Sequence, residues 1–242
     1  MRIWDLNPGY LDQQSLLDEC QQLQTIVSIL LNRKAAHYEH PETARWKGYG
    51  WALRTRYLQI KAEMQLMGYP VPAPIRTHSN PGKWPSTYVE APREQIRALE
   101  SKYKTQGSGR IRLPRNAQEA WAQHKYSVMA RSLHQYKVIG KMVAGRRRGT
   151  DYSSLLETLT AQLRQPPTSG RLRNALEHMW GHVSQHAPNL RSKVKQWSNK
   201  RLLQEIQRLC VEFHAPYLNQ STALSELAIW LPSLPPPKAA SL

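Results

Sequence analysis

Apolar residues recur along most of this chain at spacings of three and four, which is the period of an α-helix and not of a β-strand. In the first such segment, Asp12 or Ser15 supplies the N-terminal cap. No segment shows the alternation of a strand, and no motif repeats at a fixed period. The sequence therefore predicts an all-α protein. The apolar positions of the first helix are Leu16, Leu17, Cys20, Leu23, Ile26, Val27, Leu30 and Leu31.

Proline, glycine and capping residues place the ends of further helices. The Gly- and Ser-containing segment 106–110 is typical of a flexible joint, and helical periodicity restarts after Pro114. We therefore expect two helical units, residues 1–112 and 113–231, followed by a proline-rich disordered tail at 232–242. After the first helix, the sequence predicts a short turn that starts at 40–42 with proline at its first helical position, and a helix from about residue 50 that stops at 68–70. The further predicted helices are 93–104, one capped by Asn116 that carries residues 120–129, 133–144, one after a cap at Thr150 or Asp151, 171–186, 190–197 and 200–214.

The chain carries a large excess of positive charge. It has 34 Lys and Arg against 17 Asp and Glu, a net charge of +17. Such a charge favours polyanionic partners, with nucleic acid ahead of anionic membrane surfaces. No apolar run is long enough to span a bilayer, and no signal peptide is evident. The widely separated Cys20 and Cys210 fit a reducing compartment, so a cytoplasmic protein without a zinc module is expected.

The first twelve residues, MRIWDLNPGYLD, precede an amphipathic helix. Together they resemble the start of the pyrimidine-dimer DNA glycosylases of the endonuclease V type. The resemblance covers residues 1 to about 70 well, and reaches about residue 112 loosely. It implies an N-terminal helical bundle with DNA glycosylase and abasic-site lyase activity on double-stranded damaged DNA. It also implies a reaction without metal or cofactor, in which the α-amino group of the chain start is the nucleophile.

An N-terminal amine suits this chemistry because its ordinary pKa is about 8, against about 10.4 for lysine. A larger fraction is therefore uncharged and able to attack C1′ of a damaged nucleotide at neutral pH. Arg2 falls on the arginine that follows the nucleophile in the family, so the amine would be that of Met1. The alternative is that residues 1–6 form an ordinary docked arm.

Position 22 departs from the family pattern. The family has a glutamate there that removes a proton from C2′ and steadies the cationic sugar, whereas this chain has Gln22. An amide keeps the size of the carboxyl group but cannot accept that proton. Asp18 and Glu19 lie one helical turn away, about 5 Å from the required position. Both also fit a structural role, since acids in the first turns of a helix favour its dipole.

A set of basic residues interleaved with aromatic ones follows the first helix. Such a set suits phosphate contacts and stacking on an extruded base. The alternative is that the aromatic residues are core and the cations a solvated face, which we favour for Trp51 and Tyr57. The predicted phosphate contacts are Arg2, Arg33, Lys34, Arg45, Lys47, Arg54 and Arg56.

Residues 115–230 resemble the YbgA-like family, a helical domain without a settled activity. The matching segments begin at His124, Tyr136, Asn174 and Tyr217. The resemblance implies an accessory role linked to nucleic acid. A Gly-flanked turn holding Arg146, Arg147 and Arg148 is a candidate phosphate clamp or a solvated loop.

His178, His182 and His186 repeat every four residues, which places them on one face of the predicted helix. No nearby cysteine or carboxylate completes a metal-ligand set, so partly buried or phosphate-facing histidines are favoured over a metal site.

Two functions fit the sequence. One is a DNA-repair enzyme of the glycosylase and lyase type, with Met1 and Gln22 at a weakened or inactive catalytic site. The other is a protein that binds damaged DNA or RNA without cutting it. The sequence does not decide the lesion or the oligomeric state.

Overall fold

The computed structural model describes residues 1–32, 37–147 and 149–231. Within these ranges the chain forms α-helices, short 3₁₀ turns and loops, and no strand, which confirms the all-α prediction. None of the described helices is long and apolar enough to cross a membrane. The predicted tail at 232–242 lies outside the described residues. The helices are α1 (Gln13–Leu31), α2 (Pro41–Ala44), α3 (Gly50–Leu66), α4 (Pro92–Lys102), α5 (Ala117–Met129), α6 (Leu133–Ala144), α7 (Ser153–Leu163), α8 (Ser169–Gly181), α9 (Asn199–Glu212), α10 (Pro216–Asn219) and α11 (Ala223–Glu226).

Side-chain caps begin several helices where the sequence predicts them. Asp12 is the cap of α1, because its carboxylate accepts a hydrogen bond from the backbone N–H of Ser15 at 2.7 Å. Asn116 caps α5 in the same way, accepting from the N–H of Glu119 at 2.9 Å. These bonds satisfy backbone donors that a helix leaves unpaired at its start.

Three predictions about the C-terminal half are wrong. The segment 190–197 is not a helix but contains two 3₁₀ turns, Pro188–Leu190 and Val194–Gln196. Proline has no N–H to donate, so no preceding helix continues through Pro188. α8 ends at Gly181 and not near residue 186. The N-cap residue of α7 is Tyr152 and not Thr150 or Asp151, although the carboxylate of Asp151 accepts a hydrogen bond from the hydroxyl of Ser153 at 2.8 Å.

Two hydrophobic clusters form the core, and α5 takes part in both. The first cluster joins the N-terminal arm to α1, α3 and α4, and extends to residues of α5, α6 and α7. It includes Tyr57, as predicted, with the partly buried Trp51 packed against it. The second contains residues of α8, α9 and α11 together with Tyr126 and Met129 of α5. The first cluster therefore draws on both sides of residue 112, and a domain boundary there stays a prediction.

The segment expected to be a flexible joint is docked against the 3₁₀ turn Pro8–Tyr10 before α1. A Cβ at Gly109 would lie 2.4 Å from the backbone carbon of Tyr10, so only glycine permits this approach. The N–H of Ile111 donates to the carbonyl of Gly9 at 2.8 Å. Arg110 also forms a buried ion pair with Glu63 of α3 at 2.7 Å.

His124 of α5 is a buried titratable group in this core. Burial lowers its pKa to about 4, although a hydrogen bond to the carbonyl of Ala120 and the charge of Glu226 oppose that shift. Between about pH 6.5 and about pH 4 the unfolded chain therefore binds a proton that the folded chain excludes. This difference destabilises the folded state as pH falls through that window.

We expect the wild-type protein to lose more stability than His124→Gln between pH 7 and pH 4, with a differential of up to about 3 kcal/mol. The difference in stability between the two proteins should stop growing below about pH 4, because His124 is then protonated in both the folded and the unfolded chain. Urea denaturation of both proteins across this range measures it. A stability gap that does not vary with pH would contradict this account.

Candidate active site

The N-terminal arm, residues 1–7, is fixed by a buried carboxylate. The side chain of Asp5 is 2% exposed and accepts hydrogen bonds from Arg45 at 3.0 Å and from Arg164 at 2.5 Å. The amide Nε2 of Gln95 donates to the same carboxylate at 3.0 Å. Arg45 follows α2, Arg164 follows α7 and Gln95 lies within α4. Three segments that are distant in the sequence therefore converge on one residue of the arm.

A second buried pair ties the arm to α1 and α3. Arg56 donates to both carboxylate oxygens of Glu19, at 2.7 and 2.8 Å, and to the carbonyl of Leu6 at 2.6 Å. The backbone N–H of Trp4 donates to the same carboxylate at 3.2 Å. Two parallel N–H to oxygen bonds fix the guanidinium plane, so the arm, α1 and α3 hold one relative position.

An open cleft of about 390 Å³ lies between the start of the arm, α1 and α4. Met1 and Gln22 both line it, which places the two predicted catalytic positions at one site. The side-chain oxygen of Gln22 is buried and has no hydrogen-bond partner among the residues that the structure describes. A buried acceptor without a partner is costly, so this oxygen is an unsatisfied polar group at the wall of the cleft. The charged or polar side chains lining the cleft include Arg2, Asp18, Glu19, Gln22 and Lys102.

The two carboxylates nearest to Gln22 in the sequence have different surroundings. Glu19 is buried and its oxygens are engaged by Arg56 and Trp4. Asp18 is exposed and accepts one hydrogen bond, from Gln14 at 2.7 Å. Asp18 is therefore the cleft carboxylate with free acceptor capacity.

Lys102 brings a cation into the cleft that sequence reasoning did not identify. Its Nζ donates to the hydroxyl of Ser15 at 2.6 Å and forms an ion pair with Asp12 at 2.9 Å. Burial alone would raise the pKa of Asp12, but hydrogen bonds from Lys102 and the N–H of Ser15 lower it overall. Lys102 lies on α4, so no local pattern connects it with α1.

The predicted phosphate contacts have several environments. Arg2 lies over the ring of Trp4, 4.8 Å from the ring centre, and pairs with Glu90 at 2.5 Å while staying partly exposed. Lys47 pairs with Glu39 at 2.7 Å.

Arg54 is exposed on α3, along a separate groove of about 890 Å³. Arg146 donates to the carbonyl of Asp151 at 3.2 Å, and Arg147 is exposed. Arg33, Lys34 and Arg148 lie outside the described residues.

Arg45 and Arg56 are the exceptions, because both side chains are almost fully buried. Their exposures are 5% and 3%, and both are engaged by the carboxylates that hold the arm. Neither guanidinium is open to a phosphate in this structure, so their placement indicates a structural role. The sequence reasoning overlooked the signal for these buried ion pairs. Asp5 and Glu19 are two acids on either side of the start of the first helix, and neither has a local basic partner.

The three histidines do not share one helical face, contrary to the prediction. His178 lies on α8, His182 is its C-terminal cap, and His186 lies on a separate 3₁₀ turn. His182 shares a hydrogen bond with the hydroxyl of Tyr126 at 2.6 Å. The ring of His186 stacks on Phe213 with centres 4.3 Å apart. Within the described ranges, no three acidic, cysteine or histidine side chains cluster as a metal site would require.

Arg56 and Arg54 lie two residues apart on α3 and provide a matched comparison. We expect Arg56→Gln to destabilise the protein by about 3–5 kcal/mol, because it leaves Glu19 buried without its cation. Arg54→Gln should change stability by less than about 0.5 kcal/mol, since that side chain is exposed. Urea denaturation of the two variants measures the difference. Equal stabilities, with weaker DNA binding by Arg56→Gln, would identify Arg56 as a phosphate contact instead.

Comparison with known protein families agrees with the two resemblances found in the sequence. Residues 1–77 match the family model described as pyrimidine dimer DNA glycosylase, and this span contains both Met1 and Gln22. Residues 125–227 match a family described as protein of unknown function (DUF1722). No curated protein and no solved structure matches the chain. The chain thus joins a segment related to pyrimidine dimer DNA glycosylases to a segment related to a family of unknown function.

Proposed function

We propose that this chain is a DNA-repair protein that engages damaged double-stranded DNA and forms an imine through the α-amine of Met1. The observation that carries the proposal is the cleft shared by Met1 and Gln22, two residues of the span that matches the glycosylase family. We place the protein in the cytoplasm, on its charge and its two separated cysteines.

The proposed reaction begins when the lone pair of the α-amine attacks C1′ of the damaged nucleotide. The bond from C1′ to the base breaks, the base leaves with its electron pair and takes up a proton, and the sugar ring opens to an imine. Loss of a proton from C2′ then expels the 3′ phosphate and cuts the strand. The first step needs a neutral amine and is assisted by a negative charge near the cationic sugar, whereas the second needs a base.

Gln22 separates these two steps. Its amide can hydrogen-bond to the sugar but cannot accept the C2′ proton. Glu19, already bound by Arg56 and Trp4, is not free to replace it. We therefore propose that imine formation persists while strand cleavage is weak. Asp18 is the cleft carboxylate that supplies the residual cleavage.

A second candidate function is damaged-DNA or RNA binding without chemistry. It is favoured by the same two observations, an uncharged residue at position 22 and a neighbouring carboxylate held in a buried ion pair. In both functions the exposed cations, among them Arg54 and Arg147, contact phosphates, so binding weakens as salt rises. The two candidates differ only in whether a covalent adduct forms.

Borohydride reduction of a duplex with one abasic site tests the enzyme proposal. We expect wild type to give a covalent protein–DNA adduct, because reduction fixes the imine, and a form with a blocked α-amine to give none. Gln22→Glu should form the adduct and also cut the strand at least about 100-fold faster than wild type, the usual contribution of a positioned base. Denaturing gels measure both products.

The controls separate chemistry from binding. Blocked and unblocked proteins should bind the abasic duplex with similar affinity in a gel-shift assay. Binding without an adduct from either wild type or Gln22→Glu would reject the enzyme and leave the binding protein.

The role of Asp18 has its own test. Asp18→Asn should reduce residual cleavage by wild type to the background rate, since it removes the free carboxylate of the cleft. The same substitution in the Gln22→Glu protein should change the rate by less than about threefold, because the new base no longer depends on Asp18. Single-turnover cleavage of the abasic duplex gives all four rates. Residual cleavage that persists in Asp18→Asn would exclude this residue.

A further inference from the structure

A second cleft, of about 520 Å³, lies on the C-terminal half, far along the chain from Met1 and Gln22. The segment before α5, α5 itself and α10 form its walls. Its volume falls within the range of pockets that hold small organic ligands. The polar and aromatic side chains that line this cleft include Arg112, Arg115, Glu119, Gln123, Tyr217 and Gln220.

Tyr217 presents an aromatic ring to this cleft. The residue is 40% exposed, although its ring is held in place by neighbours. The ring stacks with that of His182 at 4.8 Å between centres, and His182 is itself hydrogen-bonded to Tyr126. A ring that is both fixed and exposed loses little conformational freedom when it stacks on a ligand.

The cleft and its rim carry more positive than negative charge. Glu119 is already paired with Arg115, at 2.6 Å. Arg112 is exposed and Lys125 is half-buried, and among the described residues neither pairs with a carboxylate. The Nζ of Lys125 lies 4.9 Å from the ring centre of Tyr217. Burial, with the nearby charges of Lys125 and His178, lowers the pKa of His182. The exposed Arg112 lines the cleft, and Lys125 lies next to the ring of Tyr217 outside the lining, so two cations lie near one aromatic ring.

Amide groups line the same cleft but are largely engaged. Gln123 accepts from the hydroxyl of Tyr10 and donates to the carbonyl of Arg112, and Gln220 joins the backbone of Arg110 and Arg112. These bonds fix the wall that carries Arg112. The remaining recognition groups are the exposed part of the Tyr217 ring and two cations, which match the base and phosphate of a nucleotide.

We propose that this cleft binds an unpaired nucleotide of a nucleic-acid strand, with the base against Tyr217 and phosphate on Arg112 and Lys125. Base pairing in a duplex would hide the base from the ring, so the site prefers single strands. The proposal assigns a ligand class to the segment that matches the family of unknown function. It does not rest on imine formation by Met1.

Fluorescence anisotropy with a labelled 12-nucleotide single strand tests the site, in DNA and RNA forms. We expect Tyr217→Ala to weaken binding about tenfold, the usual effect of removing one stacking ring, and Tyr217→Phe to stay within about twofold. Arg112→Gln combined with Lys125→Gln should weaken binding and flatten its salt dependence. The DNA and RNA arms show which strand is preferred, and a mononucleotide competitor shows whether the strand is required.

Lys141→Gln is the matched control, because Lys141 is an exposed lysine on α6 away from the lining of the cleft. It should leave single-strand affinity within about twofold of wild type. Thermal melting of each variant separates loss of binding from loss of fold, and the Arg112 and Lys125 double variant decides the outcome if Tyr217→Ala unfolds. Equal losses in the double variant and in Lys141→Gln would overturn the proposal, as would unchanged binding by a folded Tyr217→Ala.

Discussion

The anchoring of the N-terminal arm by buried carboxylates is the interaction on which the rest of the site depends. Asp5 and Glu19 bind arginines from the end of α2, from α3 and from the end of α7, over separations of up to 159 residues. Transfer of an isolated carboxylate from water into the core would be very unfavourable, so each must keep its full set of partners. The same bonds set the course of the arm, and hence where Met1 stands relative to α1.

This anchoring divides the basic residues into two groups that the sequence does not distinguish. Arg45, Arg56, Arg110 and Arg131 form buried ion pairs, while Arg54 and Arg147 remain exposed. The number of Lys and Arg residues in the sequence therefore overstates the number of cations that a partner can reach at the surface, because some of them pair with acids in the interior. The positive charge still exceeds what internal pairing requires, since only 17 acidic residues face 34 basic ones.

Local chemistry explains which parts of the fold the sequence predicts. The caps Asp12 and Asn116 and the end of α3 follow from residues within a few positions of each other. The partners of Asp5, the docking of Gly109 on Tyr10 and the approach of Lys102 to Ser15 depend on contacts between distant segments. Hydrophobic periodicity contains no information about such pairs. Met1 and Gln22 were identified through family resemblance, and the cleft that they share follows from the packing of the arm against α1.

In the proposed function, Gln22 means more than the loss of a charge. Its amide oxygen can still accept a hydrogen bond from a sugar, but the amide cannot remove the C2′ proton from that position. Lys102 and Arg2 also line the cleft, where Lys102 pairs with Asp12 and Arg2 pairs with Glu90. In the proposed reaction, imine formation uses the α-amine of Met1, whereas elimination needs a base that Gln22 does not provide. We therefore propose a cleft that captures a lesion and cuts the strand slowly, while the exposed ring of Tyr217 on the other half of the chain holds the unpaired strand.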